Sequence, residues 1–310
     1  MENIKSETTG RKRIDTLAID IKKLIANISN GKPANMTEEN INVFLQNIKE
    51  AVLAWNKPED RSANRGKLRM SVIGKPPRQL WYDKHSPKER KDDDAGLNLK
   101  FLYGHIIEHL ILYLAELAGH KVEDQQKKVE IDGITGHIDS QIDGEICDVK
   151  SASSFSFKKF QSGEIVGDDP FGYHAQLSGY ETANGTKAGG FLVVDKSTGD
   201  MCFYKPDDMA KPNVKNLIKT LKDTMVMDAP PVAKCYEDKV EKNGNKQLAI
   251  GCQYCPHKFE CHTDSNEGKG LRIFKYSNKN NYLTHVEKLP NVEEITSQYK
   301  EQLTNYIKTI

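Results

Sequence analysis

The sequence predicts an α/β protein of the α+β kind, and three features of its hydropathy pattern predict it. Apolar residues recur at helical spacing over 14–55 and again from about Leu97 to Ala118. Between 127 and 205 they fall instead into short, strand-like runs. One further helical stretch, about 173–184, lies among those runs.

Taken in order, Ile14, Leu17, Ile21, Leu24, Ile25 and Ile28 mark a first helix, stopped by Asn30-Gly31-Lys32-Pro33. Thr37-Glu38-Glu39 can start a second, which carries Ile41, Phe44, Leu45, Ile48, Val52 and Trp55. Residues 56–93 are basic, rich in Pro and Gly, and read as irregular. The third helix ends at Gly119. Strands are expected at 128–132, 136–142, 145–151, 190–195 and 201–205, then a helix at 212–226. Pro230-Pro231 opens a cysteine-rich segment, followed by a strand from Leu271 to Tyr276 and a last helix from about 292.

Composition bounds the possibilities. Of 310 residues, 29% are charged and 37% hydrophobic, and no apolar run is long enough to span a membrane. The segment from Met1 to Arg13 is polar and basic, without the apolar centre of a signal peptide, so a cytoplasmic location is expected. Net charge is only +1, which announces no nucleic-acid binder. Its distribution is uneven: ten Lys or Arg lie between Arg61 and Lys91, against Asp83 and Glu89. Such a segment can neutralise phosphates or can simply be a solvated stretch.

The chemistry centres on residues 136–150. Asp143-Gly144 between alternating apolar runs signals a hairpin. Strand side chains share a face at every second position, so Asp148 and Lys150 point the same way and Val149 the other. The hairpin can bring Asp139 beside them. Two carboxylates and an ammonium on one sheet face suit a hard cation with a lysine next to it. Glu108 lies in the apolar helix Phe101–Leu112, one turn after Gly104, and a carboxylate drawn toward a core needs a metal or a strong donor. Gly104 would permit a close approach of backbone or substrate. Gln176 and Tyr180, four apart, share a helix face. His105, His109, His137 and His174 lie near these motifs and read as surface or supporting residues.

This series resembles the RecB-type branch of the PD-(D/E)xK nuclease superfamily. There a glycine precedes a helical acid or His, followed by G-x-x-D, D-x-K and Q-x-x-x-Y. Here the pattern is Gly104 with Glu108, Gly136 with Asp139, Asp148 with Lys150, and Gln176 with Tyr180, across roughly 97–205. The resemblance implies a restriction-endonuclease-like core, a mixed central sheet flanked by helices. It implies that Glu108, Asp139 and Asp148, with the carbonyl of Val149, bind Mg2+ or Mn2+. Lys150 would orient or deprotonate the attacking water, and Gln176 and Tyr180 would position the DNA strand and Lys150. The implied activity is a metal-dependent DNA exonuclease in recombination, replication or DNA degradation. A structure-specific or sequence-specific endonuclease and a non-catalytic DNA-binding module are the alternatives. Small stand-alone nucleases of this type occur in phages, where the compartment would be the host-cell cytoplasm. The chain has no Walker-type run and so no ATP motor of its own, which leaves room for a helicase or recombination partner.

Six cysteines are present, and Cys235, Cys252, Cys255 and Cys261 cluster late in the chain. Four thiolates complete a shell for zinc or an iron–sulfur cluster. Cys147 and Cys202 sit in apolar runs and read as packing residues. The C-x2-C-x5-C triplet resembles that of iron–sulfur nucleases of the AddB type and of CRISPR-associated RecB-like exonucleases. In those families the fourth cysteine lies upstream of the core. Here the corresponding segment, Gly74 to Tyr82, has none, which leaves Cys235 as fourth ligand. The resemblance favours [4Fe-4S], and the local layout suits zinc equally. The expected organisation is a helical, basic region over 1–93, a nuclease core over 94–228, a cysteine segment over 229–265 and an extension over 266–310.

Overall fold

The structure is a computed structural model and describes residues 12–57, 66–86, 95–277 and 279–298. The chain divides into two compact units, Met1–Lys75 with Arg90–Leu221, and Pro76–Glu89 with Lys222–Ile310. The helices are α1 (Leu17–Ser29), α2 (Glu38–Trp55), α3 (Pro77–His85), α4 (Ala95–Leu117), α5 (Ser154–Ser162), α6 (Tyr173–Asn184) and α7 (Val214–Met225). Shorter helical turns include Ile250–Gln253 and Lys258–Cys261. The strands of the first unit are β1 (Val122–Glu123), β2 (Lys128–Ile131), β3 (Ile134–His137), β4 (Ser140–Ile142), β5 (Glu145–Ala152), β6 (Gly190–Asp195) and β7 (Met201–Tyr204). Those of the second are β8 (Lys239–Val240), β9 (Lys246–Gln247), β10 (Arg272–Lys275) and β11 (Asn280–His285).

The first unit is built on a five-stranded sheet in the order β1-β4-β5-β6-β7. β5 and β6 are parallel, and the other neighbours are antiparallel. The parallel pair requires a crossover, which α5 and α6 supply. This is the mixed, helix-flanked sheet of a restriction-endonuclease-like core. One face carries Cys147, Val149, Leu192 and Val194, packed against Leu17 and Ile21 of α1 and Ile111, Leu112 and Ala115 of α4. Each such aliphatic side chain contributes about 1.5–3 kcal/mol on full burial. Phe191 belongs to an aromatic cluster with Phe160, Tyr173 and Tyr204. Asp148 stands opposite Phe191 in the β5–β6 register, and Lys150 opposite Val193.

Turn chemistry holds where the sequence signals it. Asp143 and Gly144 both have positive φ, 53° and 93°, as a two-residue turn matched to strand twist requires. The expected strand over 136–142 is instead two: β3 pairs with β2 in a separate ribbon, and β4 pairs with β5. The break falls at Ile138-Asp139. There the Ile138 amide donates to the Lys127 carbonyl at 3.1 Å, and the Gln126 amide donates to the Asp139 carbonyl at 3.2 Å. These bonds carry the backbone from one ladder to the next.

Residues 77–85, expected to be irregular, form α3. Pro77 occupies the first helical turn, where its missing N–H costs nothing, and Leu80 and Tyr82 are buried. Helix α5 was not expected either; Ser153 caps it by accepting from the Ser156 amide. The second unit holds a four-stranded sheet in the order β10-β11-β9-β8, of which only β10 was foreseen. Residues 296–298 are helical, and the rest of the expected last helix lies outside the described residues, as do 61–65 and 87–91 of the basic segment.

Candidate active site

Helix α4 delivers Glu108 into the first unit with its side chain buried. The carboxylate has the strong donor that burial demands: Gln126 Nε2 lies 2.6 Å from Oε1, and His105 Nδ1 is 3.9 Å from Oε2. Gln126 belongs to the turn between β1 and β2 and holds a left-handed backbone, φ 54°. Its own amide bonds the Asp139 carbonyl. One residue therefore grips two of the expected acids, one through its side chain and one through its backbone. Nothing in the Asp124-Gln125-Gln126 sequence signals that role.

Asp139 sits at the β3–β4 break, half-buried, and its Oδ2 accepts the Val149 amide at 2.8 Å. Asp148 is 2% exposed and forms an ion pair with Lys150, although its Oδ2 has no aligned hydrogen-bond donor. Burial, with the Asp148 and Glu108 carboxylates nearby, holds Asp139 well above the usual carboxylate range. Burial raises Asp148 as well, against the pull of Lys150 and with a further push from Glu108. For Lys150 burial works against the charge, but Asp148 and Asp139 outweigh it and keep the ammonium above its ordinary value. Its Nζ lies 5.1 Å from the centroid of the Tyr173 ring.

Helix α6 brings the remaining pair. Gln176 Nε2 donates to the Tyr180 hydroxyl at 3.2 Å. Burial pushes Tyr180 up to about 12, so the phenol stays protonated and able to donate. Gly136 is explained by this helix. A Cβ there would meet Met70 Cβ at 2.5 Å and Tyr180 Cε1 at 2.7 Å. The glycine of G-x-x-D makes room for the tyrosine of Q-x-x-x-Y. Gly104 is different: its nearest neighbour would be Ser151 Oγ at 3.9 Å, so no backbone crosses close to it and that side of α4 is open. Asp169 caps α6 by accepting from the Tyr173 and His174 amides, each at 2.9 Å, and also contacts the His174 ring, which reaches the Tyr204 hydroxyl. Tyr173, one turn before Gln176, was missed, though i,i+3 spacing places it on the same face. His137 is exposed, and burial lowers the pKa of His109.

The donor set fits a divalent cation. Glu108, Asp139 and Asp148 crowd one another enough to raise two of the three, and an Asp148 oxygen is buried without a donor. Among the described residues, no three His, Cys, Asp or Glu side chains stand as a ready-made metal shell. The cluster is a set of converging acids held by Gln126, Val149 and Lys150 rather than a closed cage.

In the second unit Cys235, Cys252, Cys255 and Cys261 line one small cavity with Gln79, Tyr82, His257, Lys258 and His262. Burial raises the Cys235, Cys252 and Cys255 thiols, with the neighbouring cysteine sulfurs adding to the rise. Donors nevertheless point at sulfur. Arg78 Nε lies 3.0 Å from Cys261 Sγ, and the His257 backbone donates to Cys255. His257 itself is held by Asp83 at 2.7 Å. Thiols that repel as anions and are already met by donors fit a bound cation. Helix α3 belongs to the segment that carries the fourth cysteine in the resembling families, and it lines this cavity through Gln79 and Tyr82.

No helix among the described residues is long and apolar enough to cross a membrane. No protein-family model matches the chain, and no curated protein matches it. Three solved structures are similar at low identity. The protein SSO0001 is 12% identical, with a TM-score of 0.38 over 71% of this chain and 95% of that one. The alkaline exonuclease LHK-Exo from Laribacter hongkongensis is 14% identical, with a TM-score of 0.36 over 53% of this chain and 92% of that one. A phage related exonuclease from Haemophilus somnus 129PT is 15% identical, with a TM-score of 0.30 over 51% of this chain and 90% of that one. All three likenesses are weak.

Proposed function

We propose that the first unit hydrolyses DNA phosphodiesters with a bound Mg2+ or Mn2+ and works from strand ends as an exonuclease. The observation that carries this reading is the convergence of Glu108, Asp139 and Asp148 beside the charged Lys150. Glu108, Asp139 and Asp148, with the Val149 carbonyl, would hold the ion. When bound, the ion supplies Lewis-acid activation of a phosphate and of a water. Lys150, kept protonated by its two aspartates, balances charge on the phosphoryl oxygens and orients the attacking water rather than deprotonating it. Tyr180, with its proton on and its oxygen fixed by Gln176, donates to the strand or to a phosphate oxygen. The four cysteines would hold [4Fe-4S] or Zn2+, clasping the second unit together.

The test uses 5′- and 3′-labelled linear DNA, single- and double-stranded, beside covalently closed circles, with Mg2+ or Mn2+. Mononucleotides should appear from linear DNA while circles stay intact. Asp148→Asn and Lys150→Ala should each lower the rate by roughly a hundredfold or more. Cutting of circles would turn the reading to an endonuclease. Salt-sensitive binding without any cleavage would turn it to a non-catalytic DNA-binding module.

A further inference from the structure

Two aromatic side chains stand in solvent at the rim of this site, where burial would have been the favourable outcome for each. Phe171 is 64% exposed and Phe155 is 73% exposed. A single exposed ring needs no explanation. Phe171 differs because its backbone is fixed. It precedes Gly172, whose φ is +73° and whose Cα crosses the Gly74 backbone so closely that a Cβ on Gly172 would lie 2.3 Å from Gly74 Cα. The Gly172 amide also donates to the Asp169 carbonyl at 3.2 Å, and the Asp169 carboxylate caps the next two residues. The ring is therefore held outward by a rigid turn rather than left there by a loose one.

It is also placed. Phe171 lies 5.5 Å, centroid to centroid, from Tyr173, and Tyr173 covers Lys150 Nζ at 5.1 Å. Two ring steps separate the exposed aromatic face from the ammonium that meets the phosphate. Just behind it Lys159 pairs with Asp168 and sits 4.7 Å above the Phe155 ring. A nucleotide whose phosphate reaches Lys150 has its base within that distance, and an unpaired base has a π-face free to stack.

We propose that Phe171 is a stacking subsite for an unpaired nucleobase of the DNA strand next to the scissile phosphate. Base–aromatic stacking is sequence-tolerant, so the subsite selects single-stranded or frayed ends without selecting sequence. The inference rests on the nuclease reading for the position of the phosphate, and its test is one of binding, so the two can fail separately.

The experiment measures equilibrium binding of a fluorescent oligothymidylate to the full chain in Ca2+, which occupies carboxylate sites without supporting turnover in many such enzymes. A second set of oligonucleotides carries abasic residues at either terminus. Phe171→Ala should weaken the intact oligonucleotide by roughly tenfold and the matching abasic one by less than about twofold. Phe171→Trp should restore the intact affinity. The residue is exposed, so neither substitution threatens the fold, and a melting curve checks this. Equal losses on intact and abasic strands, or no loss on either, would overturn the subsite. Discrimination by Phe171 in a protein that never cleaves would leave the subsite standing and remove the hydrolytic reading.

Discussion

Replacing Gln126 by glycine should separate a functional role from a structural one. Two quantities define the substitution. The Gln126 side chain donates to Glu108 at 2.6 Å, and its backbone has φ 54°. A non-glycine residue in that left-handed region is strained by about 1–2 kcal/mol. Glycine relieves the strain but adds about 0.5–1 kcal/mol of unfolded-state entropy. The lost hydrogen bond, from a solvent-exposed donor, is worth on the order of 1 kcal/mol. The terms nearly cancel, so Gln126→Gly should move Tm by no more than about 4 °C. Gln126→Ala loses the same bond and keeps the strain, so it should melt lower than the glycine variant.

Ion binding should not follow that pattern. A residue that orients a metal-binding carboxylate typically costs about 10–100-fold in affinity when removed. Both variants should therefore bind Mn2+ at least roughly tenfold more weakly by isothermal titration. Cleavage should fall with them and partly recover at high Mn2+. Wild-type Mn2+ affinity in a folded Gln126→Gly protein would refute the reasoning, because Glu108 would then need no partner to be aimed.

Two further outcomes are expected. Asp139 is held well above its ordinary pKa of 3.8, so the folded state binds that proton more tightly than the unfolded chain. In EDTA this group's contribution to stability should be largest in acid and decline as pH rises from about 4 through the raised value. Asp139→Asn can still accept the Val149 amide, so it should melt above wild type at neutral pH, with the difference vanishing toward pH 4; a constant difference across that range would contradict the shift. In the second unit, the small core around Leu248, Leu271, Ile273 and Tyr282 includes Cys252 itself, too little apolar surface to stand without a clasp. Purified protein should carry iron or zinc, and chelation or Cys255→Ala should lower or abolish one calorimetric transition; loss of metal with unchanged melting would exclude a structural role.

What the sequence disclosed about the site follows from how local each signal is. The pairing of Asp148 with Lys150 was legible because strand side chains alternate with period two, and the Asp143-Gly144 turn because positive φ at two successive residues demands such a pair. Glu108 was legible as a carboxylate inside an apolar stripe, although its partner was not. Gln126 acts from a left-handed position that glutamine rarely adopts, and no pattern of residue types announces a conformation the surrounding bonds impose. Helix α3 was hidden for a related reason: Pro76-Pro77 reads as a breaker until the second proline proves to be the first helical residue. The split of the expected 136–142 strand is the most instructive departure. Alternation continues through Ile138, so periodicity alone sees one strand, yet a straight strand would have kept Asp139 in a single ladder. The break frees its carboxylate to reach the Val149 amide on β5 and frees Gly136 to admit Tyr180. The irregular backbone at Asp139 is thus what assembles the acids, the lysine and the tyrosine into one site.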